Sequence, residues 1–151
     1  MKTWSLLGIL ISGPLSADNF PSQIKSELIE KAIEGQKNAY APYSQYFVGA
    51  AVLTRSGKIY TGCNVENASY GLGNCAERTA IFKAVSEGDK EIEAIAIVTR
   101  DGGMACGACR QVLNEFNPKM YIIALNGHGQ ITMETTLDQM LPHAFGPSNL
   151  R

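Results

Sequence analysis

The stretch CAERTAIFKAVSEG, residues 75–88, decides the reading of the fold. Ala76, Ala80 and Ala84, joined by Ile81 and Val85, recur at helical spacing, and Gly88 stands where a helix C-cap would sit. A helix is therefore expected from Cys75 to Glu87. Downstream, AIAIVT (94–99) is a nearly continuous apolar strand, and MYIIAL (120–125) is another. Between them GACRQVLNEF (107–116) carries helical spacing at Ala108, Val112 and Phe116. Upstream, Ile24, Leu28, Ile29, Ala32 and Ile33 alternate with Lys25, Glu27, Glu30 and Lys31 after Pro21, which marks an amphipathic helix. The run Phe47–Leu53, the turn Arg55-Ser56-Gly57-Lys58 and the run Ile59–Val65 predict a β-hairpin. A short helix, Leu137–Met140, precedes Leu141-Pro142. Strands alternating with helices imply an α/β protein whose sheet is covered by helices on its faces.

The chain has 151 residues, of which 45% are apolar, enough for one domain with a single sizeable core. Formal net charge is −1, and no run of Lys or Arg could track a phosphate backbone, which weighs against long nucleic acids as substrate. No stretch approaches the ~20 apolar residues that cross a bilayer. Residues 1–20 read as an N-terminal arm and 21–151 as a single domain. Within the arm, Lys2, the apolar run Trp4–Ile11 and Leu15-Ser16-Ala17 faintly resemble a secretory signal. The run is short, broken by Gly8 and preceded by one cation, so an arm packed on the domain or on a partner subunit fits better.

The chemistry sits in the cysteines. Cys75 opens one predicted helix, while Cys106 and Cys109 flank the first turn of another. A thiolate at a helix N-terminus is favoured by unpaired N–H groups and the helix dipole, which ready it as a metal ligand. Three protein ligands leave a fourth tetrahedral position for water, the arrangement of catalytic zinc. Cys63 stands at a predicted strand end; it is either an inert thiol or the fourth ligand of a purely structural site. A thiol-redox role for Cys106-Gly107-Ala108-Cys109 is a further alternative, but it leaves Cys75 and Glu77 unexplained. Cysteine usage of this kind suits the reducing cytoplasm.

Glu77, two residues after Cys75, can reach over a metal without binding it and serve as base and then acid. Acidic residues are also common in first helical turns merely because they complement the dipole. Arg78 is either a solvated charge or a donor that offsets the negative charge of three thiolates. Asn64 and Glu66, two apart on a predicted strand, point to one side and can bind one hydroxyl, or they form an ordinary polar strand face.

Taken together, Cys75-Ala76-Glu77-Arg78-Thr79-Ala80 and Cys106-Gly107-Ala108-Cys109-Arg110-Gln111-Val112 resemble the two zinc motifs of small homotetrameric cytidine deaminases. The resemblance extends to Tyr43-Ser44, Val48-Gly49-Ala50-Ala51, Gly62 to Ala68, and Leu141-Pro142 with Phe145-Gly146-Pro147, spanning about two-thirds of the chain. It implies an α/β/α sandwich with a mixed sheet of about five strands. It also implies one Zn²⁺ per subunit held by Cys75, Cys106 and Cys109, and hydrolytic deamination of cytidine and deoxycytidine in pyrimidine salvage. By the same resemblance Glu77 protonates the ring nitrogen and the departing amine, and Ala76 offers its backbone to the pyrimidine. Asn64 and Glu66 then hold the ribose 3′-hydroxyl, while Ala68, Tyr70 and Phe145 complete the pocket of a neighbouring subunit in a homotetramer.

Two departures stand out. Ala105 replaces the proline usual before the Cys-x-x-Cys pair, and with Gly102 and Gly103 this predicts a looser loop. Tyr46 replaces the phenylalanine usual against the base, adding a hydroxyl that needs a partner or water. Deaminases of other small substrates, such as blasticidin S, also use three cysteines, but the Asn64 and Glu66 pair favours a nucleoside. Relatives acting on polynucleotides usually carry histidine as first ligand, where this chain has Cys75. His128 and His143 are not needed as ligands.

Overall fold

A computed structural model describes residues 3–6 and 9–151, with side chains from residue 11 onward. Its centre is a five-stranded mixed sheet in the order β4-β3-β5-β6-β7, formed by β3 (Gly49–Thr54), β4 (Ile59–Cys63), β5 (Ile92–Val98), β6 (Tyr121–Leu125) and β7 (Ile131–Thr136). Only β5 and β6 run parallel, and the chain between them contains α3 (Gly107–Phe116), the crossover that a parallel pair requires. The other helices are α1 (Ser22–Gln36), α2 (Ala76–Ser86) and the short α4 (Leu137–Met140).

Alternation along β3 separates two cores. Ala51 and Leu53 pack with Ile24, Leu28 and Ala32 of α1, whereas Ala50 and Val52 pack with Ala76, Ala80 and Ile81 of α2 and with Leu113 of α3. The expected sandwich with helices on both faces is the observed one. Close approach is required on each face. A Cβ on Gly49 would lie 2.2 Å from the Ala32 carbonyl oxygen of α1, and one on Gly62 would lie 2.4 Å from the Ala80 nitrogen of α2. Gly62 therefore lets α2 lie directly on β4, which fixes where its N-terminus points.

Several boundaries differ from the sequence reading. The first hairpin strand begins at Gly49, not Phe47, because Gln36 Nε2 bonds the Phe47 carbonyl at 2.9 Å and Asn64 Oδ1 takes the Val48 N–H at 2.9 Å. The second ends at Cys63, so Asn64 and Glu66 lie beyond the strand that was expected to carry them. The edge strand β7 was not anticipated, since ITMETT is a mostly exposed, weakly apolar segment.

In the N-terminal arm, β1 (Thr3–Leu6) and β2 (Ile9–Ser12) pair antiparallel as a separate two-stranded unit. The signal-like stretch falls partly outside the described residues, at residues 1, 2, 7 and 8. Ile11, Leu15 and Phe20 are buried in the α1-side core, and Phe20 meets Tyr121 edge-on at 5.6 Å. Among the described residues no helix is long and apolar enough to cross a membrane.

Candidate active site and metal centre

Cys75 is the N-cap of α2 and Cys106 the N-cap of α3, with Cys109 inside the first turn of α3. Both helices begin as hydrogen-bonded turns there: Thr79 N–H donates to the Cys75 carbonyl at 3.0 Å, and Arg110 N–H to the Cys106 carbonyl at 2.9 Å. The helix starts bring the three Sγ atoms within 4.8 Å of one another. Tetrahedral zinc with bonds of about 2.3 Å needs its sulfurs about 3.8 Å apart, so the donor set fits that ion in identity and spacing. Cys63 is not part of this group; its thiol donates to the Asn38 carbonyl at 3.4 Å and is pushed up by burial. The four-cysteine alternative is therefore not what the fold assembles.

Electrostatics favour the thiolate at Cys75 over that at Cys109. A hydrogen bond from Cys109, aided by the Arg78 guanidinium, lowers the Cys75 thiol to about 5 against the opposing cost of burial. Cys109 moves up for the complementary reason, because it supplies the proton of that shared bond and is itself buried. Arg78 Nη2 lies 3.3 Å from Cys75 Sγ, and its buried Nε has no partner among the described residues. A guanidinium committed to sulfur in this way suits a centre that accumulates negative charge.

Glu77 is 5% exposed, and burial raises its carboxyl above the ordinary range. It lines a cleft of about 310 Å³ together with Cys75, Ala76 and Cys106, at the small end of ligand sites. The other lining residues are Ser44, Tyr46 and Val48 from the loop before β3, Asn64 and Glu66 after β4, and Thr99 and Met104 from the loop before α3. Sequence-expected residues from four separate segments thus share one cavity.

Asn64 and Glu66 arrive there by a different route from the one expected. Asn64 Nδ2 donates to the Tyr46 carbonyl at 2.7 Å, and Glu66 accepts the backbone N–H of Tyr43 at 2.9 Å and of Ser44 at 3.1 Å, plus the Ser44 hydroxyl. These bonds, the Ser44 hydroxyl first, hold the Glu66 carboxyl below the usual carboxylate range. The pair braces the Tyr43–Val48 loop as well as facing the cleft.

Ala68, Tyr70 and Phe145 do not line the cleft of their own chain. Ala68 is exposed, Tyr70 is 83% exposed, and Phe145 is 60% exposed with its carbonyl held by Gln111 Nε2 at 2.6 Å. The loop before α3, expected from its composition to be loose, is tied by several hydrogen bonds. Gly103 N–H donates to Thr99 Oγ1 at 2.7 Å, Arg110 Nε donates to the Ala105 carbonyl at 2.8 Å, and the Tyr46 hydroxyl donates to Asp101 Oδ1 at 2.5 Å. Asp101 was absent from the sequence reading, and no local pattern could have joined it to Tyr46, 55 positions earlier.

An α/β/α sandwich that gathers three thiols at two helix starts, beside a buried carboxyl in a small cleft, is the frame of a metal-dependent enzyme. Residues 22–125 match the family model described as the cytidine and deoxycytidylate deaminase zinc-binding region. The chain belongs to the cytidine deaminase family, and zinc is the ion that the matched region and the cysteine cluster suit. It is 50% identical over 123 residues to a cytidine deaminase of Halalkalibacterium halodurans, covering 78% of this chain and 91% of the relative. To one from Sporosarcina psychrophila it is 47% identical over 127 residues, covering 82% and 93%. The crystal structure of cytidine deaminase from Burkholderia pseudomallei superposes with a TM-score of 0.76 at 47% identity, over 80% of this chain and 98% of that one.

Proposed function

We propose that the chain hydrolyses cytidine and deoxycytidine to uridine and deoxyuridine, releasing ammonia, in the salvage of pyrimidine nucleosides. The observation that carries the reading is that buried Glu77 shares its cleft with Cys75 and Cys106, two of three thiols whose sulfurs converge within 4.8 Å. Cys75, Cys106 and Cys109 would hold the zinc, and bound zinc supplies a water molecule whose pKa is lowered towards ~7.

The chain's own residues do the rest. Glu77, its carboxyl shielded from solvent, takes one proton from the attacking water and gives it to the ring nitrogen, then takes the second from the hydroxyl newly joined to the ring carbon and gives it to the departing amine. The exocyclic C–N bond is exchanged for a C–O bond, and the proton count closes on ammonia. Arg78 stabilises the Cys75 thiolate. The Ala76 backbone meets the pyrimidine, the Tyr46 ring packs against it, and Asn64 and Glu66 hold the ribose 3′-hydroxyl from their places on the cleft wall.

A homotetramer is part of the proposal, with Ala68, Tyr70 and Phe145 completing a neighbouring subunit's pocket. Exposed apolar side chains at Tyr70, Leu72, Phe82 and Phe145 support this, because large apolar groups left in water seek a partner surface. Residues 21–151 form the catalytic domain in this reading, with 1–20 as an arm upon it. The net charge of −1 favours free nucleosides over polynucleotides, and thiols that must stay reduced to bind metal favour the cytoplasm.

The test is the ultraviolet absorbance change of cytidine with zinc-loaded protein, run beside deoxycytidine, cytosine, CMP and blasticidin S. Cytidine and deoxycytidine are expected to turn over, and Glu77→Gln is expected to keep zinc and fold while losing at least ~10²-fold in kcat. Turnover of blasticidin S alone would move the substrate; substantial activity in Glu77→Gln would remove its role as proton carrier.

A further inference from the structure

The cleft has two lips that belong to distant parts of the chain: the loop carrying Ser44 and Tyr46, and the loop running from Thr99 to Cys106. The second lip delivers Cys106, which is exposed, whereas Cys109 is buried in α3. It contains consecutive glycines, and Gly102 has φ +82°, a backbone conformation that side chains resist. Such a segment loses much entropy when fixed, so something must hold it. Within the loop Gly103 N–H donates to Thr99 Oγ1 at 2.7 Å, and from across the cleft the Tyr46 hydroxyl donates to Asp101 Oδ1 at 2.5 Å, an oxygen that the Gly103 N–H also reaches at 3.3 Å. The Arg100 guanidinium lies 5.4 Å from the centre of the Tyr46 ring and adds a cation–π contact. Gly103 is matched to this arrangement, for a Cβ there would stand 2.9 Å from the Tyr46 hydroxyl. At its other end Tyr46 is anchored through its carbonyl to Asn64, and through its N–H to Ser44 Oγ at 3.0 Å.

We infer that the Tyr46–Asp101 hydrogen bond is a clasp joining the two lips of the cleft, and that Tyr46 and Asp101 are positioning residues that hold Cys106 in place to bind the metal. The tyrosine hydroxyl acts on the metal centre through a loop and not by contact with the ion. The inference rests on zinc being held by Cys75, Cys106 and Cys109. Zinc leaves such a site when one ligand swings away, and Cys106, exposed at the end of this loop, is the ligand whose position the clasp governs. Without the clasp the open loop is more populated, by the worth of one hydrogen bond to a carboxylate, about tenfold.

The experiment follows zinc release from the loaded full chain to a chromogenic chelator, in the wild type, Tyr46→Phe, Asp101→Ala, the double variant and Asp101→Asn. Tyr46→Phe keeps the ring and removes only the hydroxyl. Each of Tyr46→Phe and Asp101→Ala is expected to release zinc about tenfold faster, and the double variant no faster than either. Asp101→Asn, which still presents an acceptor oxygen, should return most of the way to wild type. Unchanged release in both single variants, or effects that multiply in the double variant, would overturn the clasp. Hydrogen exchange of the Gly103 amide, compared between wild type and Tyr46→Phe, reads the loop without reference to zinc. It should quicken in the variant, and equal rates would also overturn the inference. A wild-type chain that takes up no zinc while Gly103 exchange still responds to Tyr46→Phe refutes the metal reading and the holding of Cys106 together, leaving only a bond between two loops.

Discussion

Cys63 stands at the end of β4 with its thiol turned to the Asn38 carbonyl, outside the cluster formed by the other three cysteines. Cys63→Ser is therefore expected to retain one zinc per chain, while Cys75→Ser, Cys106→Ser and Cys109→Ser each lose most of it; metal analysis after dialysis reads the difference. Loss of zinc from Cys63→Ser would restore a four-sulfur structural site. At this scale the metal-binding thiols were legible because helix starts and a three-residue spacing are local properties of the chain. The role of Asp101 was not legible, since it depends on a hydroxyl brought from 55 positions away by the fold. Asn64 and Glu66 were legible as residues of the cleft but not as braces, because their partners at Tyr43, Ser44, Tyr46 and Val48 adopt no regular structure.

Among the elements, the Tyr43–Val48 loop depends on ionised Glu66. Bonds from Ser44 and Tyr43 lower that carboxyl beneath its ordinary value of 4.5, so their stabilisation is complete above pH 4.5 and fades as pH falls through the lower folded-state pKa. NMR titration should move the Tyr43 and Ser44 amide signals together, with a midpoint below 4.5. A shared midpoint at or above that value would contradict the bracing role. Helices α1, α2 and α3 were readable from periodicity, and α3 coincides with its expected span, Gly107–Phe116. Strand β7 escaped because an edge strand with a solvent face has too few apolar residues to be told from a loop. The hairpin boundaries slipped by two residues at each end: at Phe47 side-chain bonds from Gln36 and Asn64 replace ladder bonds, and at Val65 the backbone pairs with Asn74 and Tyr40 instead of β3.

At the scale of the molecule, Phe145 is exposed and lies outside the cleft of its own chain, and the proposed tetramer gives it a role in a neighbouring one. Phe145→Ala should raise KM for cytidine about three- to tenfold, the worth of one aromatic stacking contact, with zinc content unchanged. Light scattering should give four chains per particle for the wild type. A monomer with full activity, or an unaltered KM, would remove Phe145 from the pocket. The sheet itself has a further consequence. It divides the interior so that Ile24, Leu28, Leu15 and Phe20 lie on one side and Cys75 and Cys109 of the thiol cluster on the other. The α1 side is thus a reserve for protein engineering: with Gln36 and its bond to the Phe47 carbonyl left in place, repacking it can harden the enzyme against heat while the chemistry behind the β-strand wall keeps its geometry.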